Sequence, residues 1–246
     1  ACSGRAEPPP PEAPVSDCSV TLDPGANVLS AALKDAADGA VICLKPGTYE
    51  GFANFTRSVS VKALGEGVIL DAGGESPVMN VGEERISVRL SGLTLSNGFN
   101  ASGGALRMEA RSQISFVNCT FRGNQAGDQG GGAIHALRGK ITLDGCSFEG
   151  NQGANGAAML ADGVSFWEIT DTRATGNTGE SGVLAIREGA RVQMAGSDLT
   201  GNAVDGASVT VDGSTSRGPE VSIAGCKLGE PGVDVRSKLA NVAVAP

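Results

Sequence analysis

A repeat of 25–29 residues is the feature of this 246-residue sequence that most restricts its fold. Four sets of positions recur in one register, with steps of 26, 27, 26, 25 and 29 residues. The sets are Val88, Ile114, Ile141, Trp167, Val192, Val221; Leu90, Phe116, Leu143, Ile169, Met194, Ile223; Leu93, Cys119, Cys146, Thr172, Ser197, Cys226; and Leu95, Phe121, Phe148, Ala174, Leu199, Leu228. Within each repeat these mostly apolar positions alternate with polar ones, which is the periodicity of β-strands.

A single extra residue separates the second set from the third and indicates a corner in the chain. The residues at this corner are Gly92, Asn118, Gly145, Asp171, Gly196 and Gly225. Gly, Asn and Asp tolerate the left-handed backbone conformation that a sharp corner requires. Short strands joined by such corners pair with the equivalent strand of the next repeat, about 4.8 Å along an axis. The sequence therefore predicts a parallel β-helix of about seven or eight coils, one repeat per coil, between residues 41 and 230.

Both ends of the predicted solenoid differ from the repeats. Residues 27–37 have the apolar spacing of a helix, with Asn27 as its N-terminal cap, and we expect this helix to cover the first coil. In the tail, Pro231–Pro246, alternating valines indicate either a last partial coil or a C-terminal cap.

The first residues have the composition of a tether. Residues 1–16 are rich in proline and lack periodicity, so we expect the folded domain to occupy residues 17–246. The opening Ala1-Cys2-Ser3-Gly4 resembles the start of a mature bacterial lipoprotein. This resemblance implies a lipid on Cys2 and an exported protein anchored at the bacterial outer membrane or cell surface.

Two short motifs in the middle coils resemble a known family. Residues 121–124 (Phe-Arg-Gly-Asn) and 148–151 (Phe-Glu-Gly-Asn) match an F-x-x-N repeat, and residues 131–134 (Gly-Gly-Ala-Ile) match G-G-A-I. Together they resemble the passengers of polymorphic outer-membrane proteins, which implies an all-β, right-handed parallel β-helix with an adhesive role. Later coils depart from both motifs, as in residues 174–177 (Ala-Thr-Gly-Asn), so the family's membrane insertion is not expected of this chain.

The six cysteines contain no CxxC pair, which argues against a zinc ribbon. Cys18 and Cys43 flank the first ordered segment, and we expect a disulfide between them. Cys119 and Cys146 share an inward set in consecutive coils. Side chains stacked in this way point in the same direction, which gives poor disulfide geometry, so we expect buried free thiols.

Four asparagines follow glycine at steps of 27, 26 and 25 residues: Asn124, Asn151, Asn177 and Asn202. They could form a polar binding strip. We favour a structural ladder at a turn, in which each amide bonds to the backbone or to its neighbour.

Composition restricts the possible partners and cofactors. A net charge of −8 argues against nucleic acid and anionic membrane surfaces, so we expect membrane contact only through a lipid on Cys2. No glycine-rich phosphate loop occurs, and we expect neither a cofactor nor a metal. The single histidine, His135, falls in a predicted outward column, which reads Arg107, His135, Met159, Ala185 and Val209. Without a carboxylate partner it is interpreted as a surface residue.

Asp144 and Glu168 are the candidates for catalysis. Both are expected to point outward from adjacent coils, two residues out of register, about 8 Å apart. This separation suits an inverting glycosidase pair. However, no outward run of aromatic residues and no clustered Lys/Arg/Asp set accompanies them.

The sequence favours a non-catalytic adhesive, scaffolding or partner-binding protein of the cell envelope over an enzyme. The partner would be a protein or a polysaccharide at the cell surface. A carbohydrate-active enzyme, either a hydrolase or a lyase, is the alternative.

Overall fold

Parallel strands of successive coils form three long sheets in the computed structural model, which describes residues 18–128, 130–213 and 218–245. Sheet A has ten strands: β1 (Val20–Leu22), β2 (Ala40–Leu44), β5 (Val59–Ala63), β8 (Ser87–Ser91), β12 (Gln113–Val117), β16 (Lys140–Asp144), β19 (Phe166–Thr170), β23 (Arg191–Ala195), β26 (Glu220–Ala224) and β28 (Asn241–Ala245). Sheet B has six: β3 (Gly47–Glu50), β6 (Val68–Asp71), β9 (Thr94–Ser96), β13 (Thr120–Arg122), β17 (Ser147–Glu149) and β20 (Arg173–Thr175).

Sheet C and two short ladders complete the coils. The eight strands of sheet C are β4 (Ala53–Phe55), β7 (Met79–Val81), β11 (Leu106–Met108), β15 (Ile134–Ala136), β18 (Met159–Ala161), β22 (Leu184–Arg187), β25 (Val209–Asp212) and β27 (Val233–Val235). The short ladders pair β10 (Phe99–Asn100) with β14 (Gln125–Ala126), and β21 (Thr178–Gly179) with β24 (Ala203–Val204). This is the predicted all-β solenoid of parallel coils.

The strand register confirms the inward columns. Ile114 pairs with Ile141, Ile141 with Trp167, and Trp167 with Val192, and all four side chains are buried. In an inward column of sheet B, the rings of Phe121 and Phe148 stack with centroids 4.6 Å apart. Like therefore stacks on like, and the core is a continuous apolar column along the axis.

The predicted corners are also confirmed. The residues between sheets A and B have positive φ in each of six coils: Gly92, Asn118, Gly145, Asp171, Gly196 and Gly225. At the C-terminal end, β27 joins sheet C and β28 joins sheet A, so the tail is a last partial coil.

One helix, α1 (Val28–Asp35), buries Leu29 and Leu33 against the first coil beside β3 and β4. It is shorter than the predicted 27–37, because the chain is extended at Ala36, where the Arg57 guanidinium donates to the Ala36 carbonyl at 2.9 Å. The predicted Asn27 cap is wrong. Asn27 has a φ of 59° and makes no side-chain cap bond. Its backbone N–H instead donates to the Glu50 carbonyl at 2.8 Å and so docks the helix on the first coil.

The predicted disulfide joins Cys18 to Cys43 across a Cα–Cα distance of 5.7 Å. It ties the first described residue to β2. The expected tether and the lipid-bearing Cys2 lie outside the described residues.

The asparagine ladder is confirmed as a structural element. The Asn151 Oδ1 accepts hydrogen bonds from both the backbone N–H and the side-chain amide of Asn124, each at 3.0 Å. The Asn151 amide in turn donates to Asn177 Oδ1 at 2.8 Å and to the Phe121 carbonyl at 3.0 Å. Asn177 repeats the pattern with Asn202. Each buried amide therefore satisfies backbone groups that the turn leaves without a strand partner.

We expect Asn151→Ala to lower the free energy of unfolding by about 3 kcal/mol, because it leaves several buried polar groups unsatisfied. Asn202→Ala, at the partly exposed end of the ladder, is the matched control and should cost less, since water can replace the lost amide. Urea denaturation measures both. Equal losses for the two variants would contradict a ladder that matters because it is buried.

Cys119 and Cys146 are free and buried, as predicted. Burial raises the pKa of the Cys119 thiol to about 11 and that of Cys146 to about 12. Each thiol contacts backbone carbonyls, Cys119 that of Leu90 and Cys146 that of Phe116. Both behave as small core residues rather than as reactive thiols.

Alkylation of the native protein at pH 8 should therefore modify Cys226, which is half-buried, well before Cys119 and Cys146. With a pKa of about 11, only about one Cys119 thiol in a thousand is ionised at that pH, and its burial also keeps the reagent away. Mass spectrometry after iodoacetamide treatment, with a urea-unfolded sample as control, reads out the order. Rapid modification of all three thiols in the native state would show that the columns do not pack as described.

Candidate functional site

The outer face of sheet A is the longest regular surface of the molecule. Its strands alternate in burial, as β23 shows: Val192 and Met194 are buried, whereas Arg191, Gln193 and Ala195 are exposed. Two outer columns follow from the strand register: Lys140, Phe166, Arg191, Glu220, Asn241; and Thr142, Glu168, Gln193, Ser222, Ala243. Each column extends along the axis, so it presents a row of side chains at the spacing between coils, about 4.8 Å.

An open groove of about 1100 Å³ lies on the C-terminal half of this face. Its lining includes Phe166, Gln193, Ser222 and Asn241, from four successive strands of the sheet. The turns that lead into the strands add Val164, Gly189 and Gly218. The groove therefore combines hydrogen-bonding side chains with one outward aromatic ring and extends over several coils.

Its charged side chains are paired with one another. Arg191 contacts Glu220 twice, at 3.1 Å from Nε and 3.3 Å from a terminal nitrogen. Next to the groove, Lys140 Nζ lies 2.7 Å from Glu168 Oε2 and 5.3 Å from the centre of the Phe166 ring. Pairs as exposed as these contribute little to stability. Each pair cancels its own charge, so these four side chains add no net charge to this part of sheet A.

The two predicted catalytic carboxylates lie where the sequence placed them, on outer positions of adjacent strands. Asp144 is exposed and accepts a hydrogen bond from Thr170 Oγ1 at 3.2 Å. Glu168 is half-buried and carries the ion pair with Lys140. Neither is among the residues that line the groove. Their catalytic role stays a prediction.

The interpretation of His135 as a surface residue without a carboxylate partner is wrong. His135 is only 6% exposed. Its Nδ1 contacts Ser102 Oγ, and its Nε2 lies 3.5 Å from Asp162 Oδ2. The predicted column was also out of register, because His135 pairs with Leu160 and Ala185 with Thr210. Met159 and Val209 point inward, opposite Ile134 and Leu184.

Glycine-rich segments cover this part of sheet C. A Cβ on Gly103 would come within 2.9 Å of the His135 backbone nitrogen, and one on Gly131 within 2.4 Å of that of Leu160. A Cβ on Gly130 would meet Ser102 at 2.4 Å. Ser102, His135 and Asp162 resemble a hydrolytic triad in composition, but the hydroxyl is buried under the next coil. We interpret the three residues as a structural cluster that fixes these segments to the sheet.

Asp162 is held in its ionised form within this cluster. Burial raises the pKa of its carboxyl, but the adjacent His135 ring, the hydrogen bond from the Gly163 N–H and the positive charge of Arg187 outweigh burial and lower the pKa below its ordinary value. The Gly163 N–H lies 2.6 Å from Oδ1.

Sequence reasoning missed both the groove and the cluster. One sequence signal could have indicated the groove. The charged and aromatic residues Lys140, Phe166, Arg191 and Glu220 occupy the same outward position of four consecutive repeats. No comparable signal joins Ser102 to His135 and Asp162, which meet only through the covering segments.

No helix within the described ranges is long and apolar enough to span a membrane. No group of three or more His, Cys, Asp or Glu side chains in them is arranged to hold a metal ion.

The fold defines a right-handed β-helix protein. The chain belongs to the family described as "Right handed beta helix region", whose model matches residues 58–228. No curated protein matches the sequence.

Among solved structures, the chain is similar to AlyGC, an alginate lyase of family PL6, with 14% identity and a TM-score of 0.64. The similarity covers 92% of this chain but 38% of the AlyGC chain. The alginate lyase of Paenibacillus sp. str. FPU-7 is 12% identical, with a TM-score of 0.39, over 91% of this chain and 100% of the other. At these identities the AlyGC likeness shows a shared fold.

Asp162→Asn should destabilise the protein at pH 7 by about 1–2 kcal/mol, because it weakens the partner of a buried histidine. A lowered folded pKa stabilises the native state above the unfolded pKa, and this contribution is lost as the pH falls through the folded value. The difference between the two proteins should therefore be present at pH 5–7 and shrink below about pH 4. Urea denaturation across this range measures it, with Asp144→Asn as control. A difference that is the same at pH 3 and pH 7 would contradict the assigned role.

Proposed function

We propose that this protein binds an extended, neutral polysaccharide in the groove on sheet A, without cleaving it. The observation that carries the proposal is a long open groove whose lining is rich in hydrogen-bonding groups and whose charges are internally paired. Ligand sites commonly have volumes of about 300–1,000 Å³, so this groove, at about 1100 Å³, is at the upper end.

The shape of the groove suits a polymer better than a small molecule. It is open to solvent and extends along the axis of the solenoid, across strands β19, β23, β26 and β28. A sugar chain laid along the axis would meet equivalent positions at each coil. Gln193, Ser222 and Asn241 offer amides and a hydroxyl to successive sugar hydroxyls, and Phe166 offers an apolar ring.

The charge distribution favours a neutral chain over an acidic one. Arg191 is neutralised by Glu220, and Lys140 by Glu168, so among residues 18–128, 130–213 and 218–245 no cluster of unpaired cations lines the groove. The protein as a whole carries a net charge of −8, which repels a polyanion. Paired ions still provide fixed donors and acceptors for sugar hydroxyls.

A cell-surface setting is part of the proposal. The lipoprotein-like start with Cys2 and the proline-rich residues 1–16 would tether the domain to a membrane. The F-x-x-N and G-G-A-I motifs, which resemble adhesive passengers, support an adhesive or scaffolding role. Anchored in this way, the solenoid would hold a matrix or envelope polysaccharide close to the cell.

A carbohydrate-active enzyme is the second candidate. Asp144 and Glu168 point outward on adjacent coils, and AlyGC, with the same fold, is named as an alginate lyase. Against cleavage, Glu168 is engaged with Lys140 at 2.7 Å, an interaction that an acid catalyst would have to give up. The charge balance also differs from what an acidic substrate requires.

Affinity electrophoresis in gels containing galactomannan, xyloglucan, mixed-linkage β-glucan, polygalacturonate or alginate tests the proposal. We expect at least one neutral polymer to retard the protein and neither acidic polymer to do so. Gln193→Ala and Phe166→Ala should each weaken binding about tenfold, a loss of about 1.4 kcal/mol. Thr120→Ala, on the outer face of sheet B, should bind as the native protein does.

The same samples, assayed for new chain ends, separate binding from cleavage. Turnover that disappears in Asp144→Asn or Glu168→Gln would establish the enzyme and refute the binding role. Retardation by alginate alone would refute the choice of a neutral ligand.

A further inference from the structure

We propose that a second polysaccharide-binding groove lies on the outer face of sheet C, and that the protein therefore cross-links two neutral sugar chains. The second groove has a volume of about 590 Å³. It is lined by polar side chains between residues 80 and 138, namely Asn80, Glu84, Asn100, Arg107, Glu109 and Arg138. None of these residues lines the groove on sheet A.

The position of this groove follows from where the cover over sheet C begins. Asn54, Asn80, Arg107 and His135 occupy one outer column. His135 is covered by Ser102 and Gly103, whereas Arg107 is exposed. Asn100 lies directly before the covering segment and lines the groove. The uncovered part of the column thus forms a recess beside that segment.

The lining provides groups that the protein leaves available. Asn80 uses its side-chain nitrogen on Asn54 Oδ1 at 3.1 Å, and Asn100 uses its oxygen on the Ala101 N–H at 2.7 Å. Among the described residues, the other amide atom of each side chain has no hydrogen-bond partner, so it can bond to a ligand. Within the described ranges, the Arg138 guanidinium has no hydrogen bond or ion pair to another side chain and adds donors to the same recess.

The lining of this groove carries equal numbers of positive and negative side chains, of which Arg107 and Glu109 form an ion pair. Arg107 pairs with Glu109, and Glu84 accepts a hydrogen bond from the Arg111 backbone N–H at 3.1 Å. The charged side chains of the lining are the guanidinium groups of Arg107 and Arg138 and the carboxylates of Glu84 and Glu109. A neutral, hydroxyl-rich ligand fits this arrangement because it accepts and donates hydrogen bonds without requiring a net charge.

Because the two grooves lie on different faces of the solenoid, the protein could bind two ligands at once. One lies among the coils of residues 80–138 on sheet C, and the other among those of residues 164–243 on sheet A. A locally straight chain in one groove does not reach the other, so each groove takes a separate chain. Cross-linking rests on the proposed function of the sheet A groove, whereas ligand binding in the sheet C groove does not.

Light scattering by mixtures of the native protein with galactomannan, xyloglucan or mixed-linkage β-glucan tests the inference, with affinity electrophoresis on the same samples. The sheet C variant is Asn80→Ala with Arg138→Ala, and the sheet A variant is Gln193→Ala with Phe166→Ala. Thr120→Ala is the control, and thermal unfolding checks that each variant is folded. We expect the native protein and Thr120→Ala to raise the scattering of one polymer at least severalfold. Each groove variant should still be retarded by that polymer but should not raise its scattering.

The outcomes separate the two proposals. If the sheet C variant binds and cross-links like the native protein, the second groove is refuted and the proposed function stands. If the sheet A variant keeps full affinity while the sheet C variant loses all binding, the proposed function fails and so does cross-linking, although the second groove then binds alone. If none of the three polymers retards the native protein, both proposals are refuted.

Discussion

In this solenoid the backbone groups of each strand bond to the equivalent strand one coil away, about 4.8 Å along the axis. Because the register is in phase, each side chain stacks on its equivalent in the next coil. Inward columns are therefore mostly apolar, as with Ile114, Ile141 and Trp167. Where a polar residue enters one, as at Thr172 and Ser197, its hydroxyl donates to a backbone carbonyl. Outward columns have no such requirement, and it is there that the chain carries paired ions, amides and the Phe166 ring.

The turns obey the same constraint by a different means. After sheet B the chain leaves strand geometry, and its backbone groups lose their strand partners. The buried amides of Asn124, Asn151 and Asn177 supply those partners and stack on one another at the same rise. The asparagines thus stabilise the turn as the apolar columns stabilise the strands. They hold the start of the segment that leads from sheet B to sheet C.

The repeat made much of this predictable from sequence. The inward columns, the left-handed corners and the asparagine ladder all depend on residues near a fixed point of the repeat, where steps are regular. Prediction failed on sheet C because the segment before it varies in length. The predicted column placed Met159 beside His135, where the structure places Leu160. The equivalent glycines of these coils are Gly103, Gly131 and Gly156, each three residues before its strand. That error of one residue exchanged inward for outward positions, because side chains alternate along a strand. As a result, neither the contact of His135 with Asp162 nor the burial of His135 was predicted.

The central claim is that the groove on sheet A holds a neutral sugar chain. A crystal structure of the protein with an oligosaccharide from whichever neutral polymer it binds tests this most directly. The account predicts density for sugar rings along the axis, with hydroxyls within about 3 Å of Gln193 and Asn241 and one ring against Phe166. Density confined to another face, or a groove left empty at saturating ligand, would contradict it.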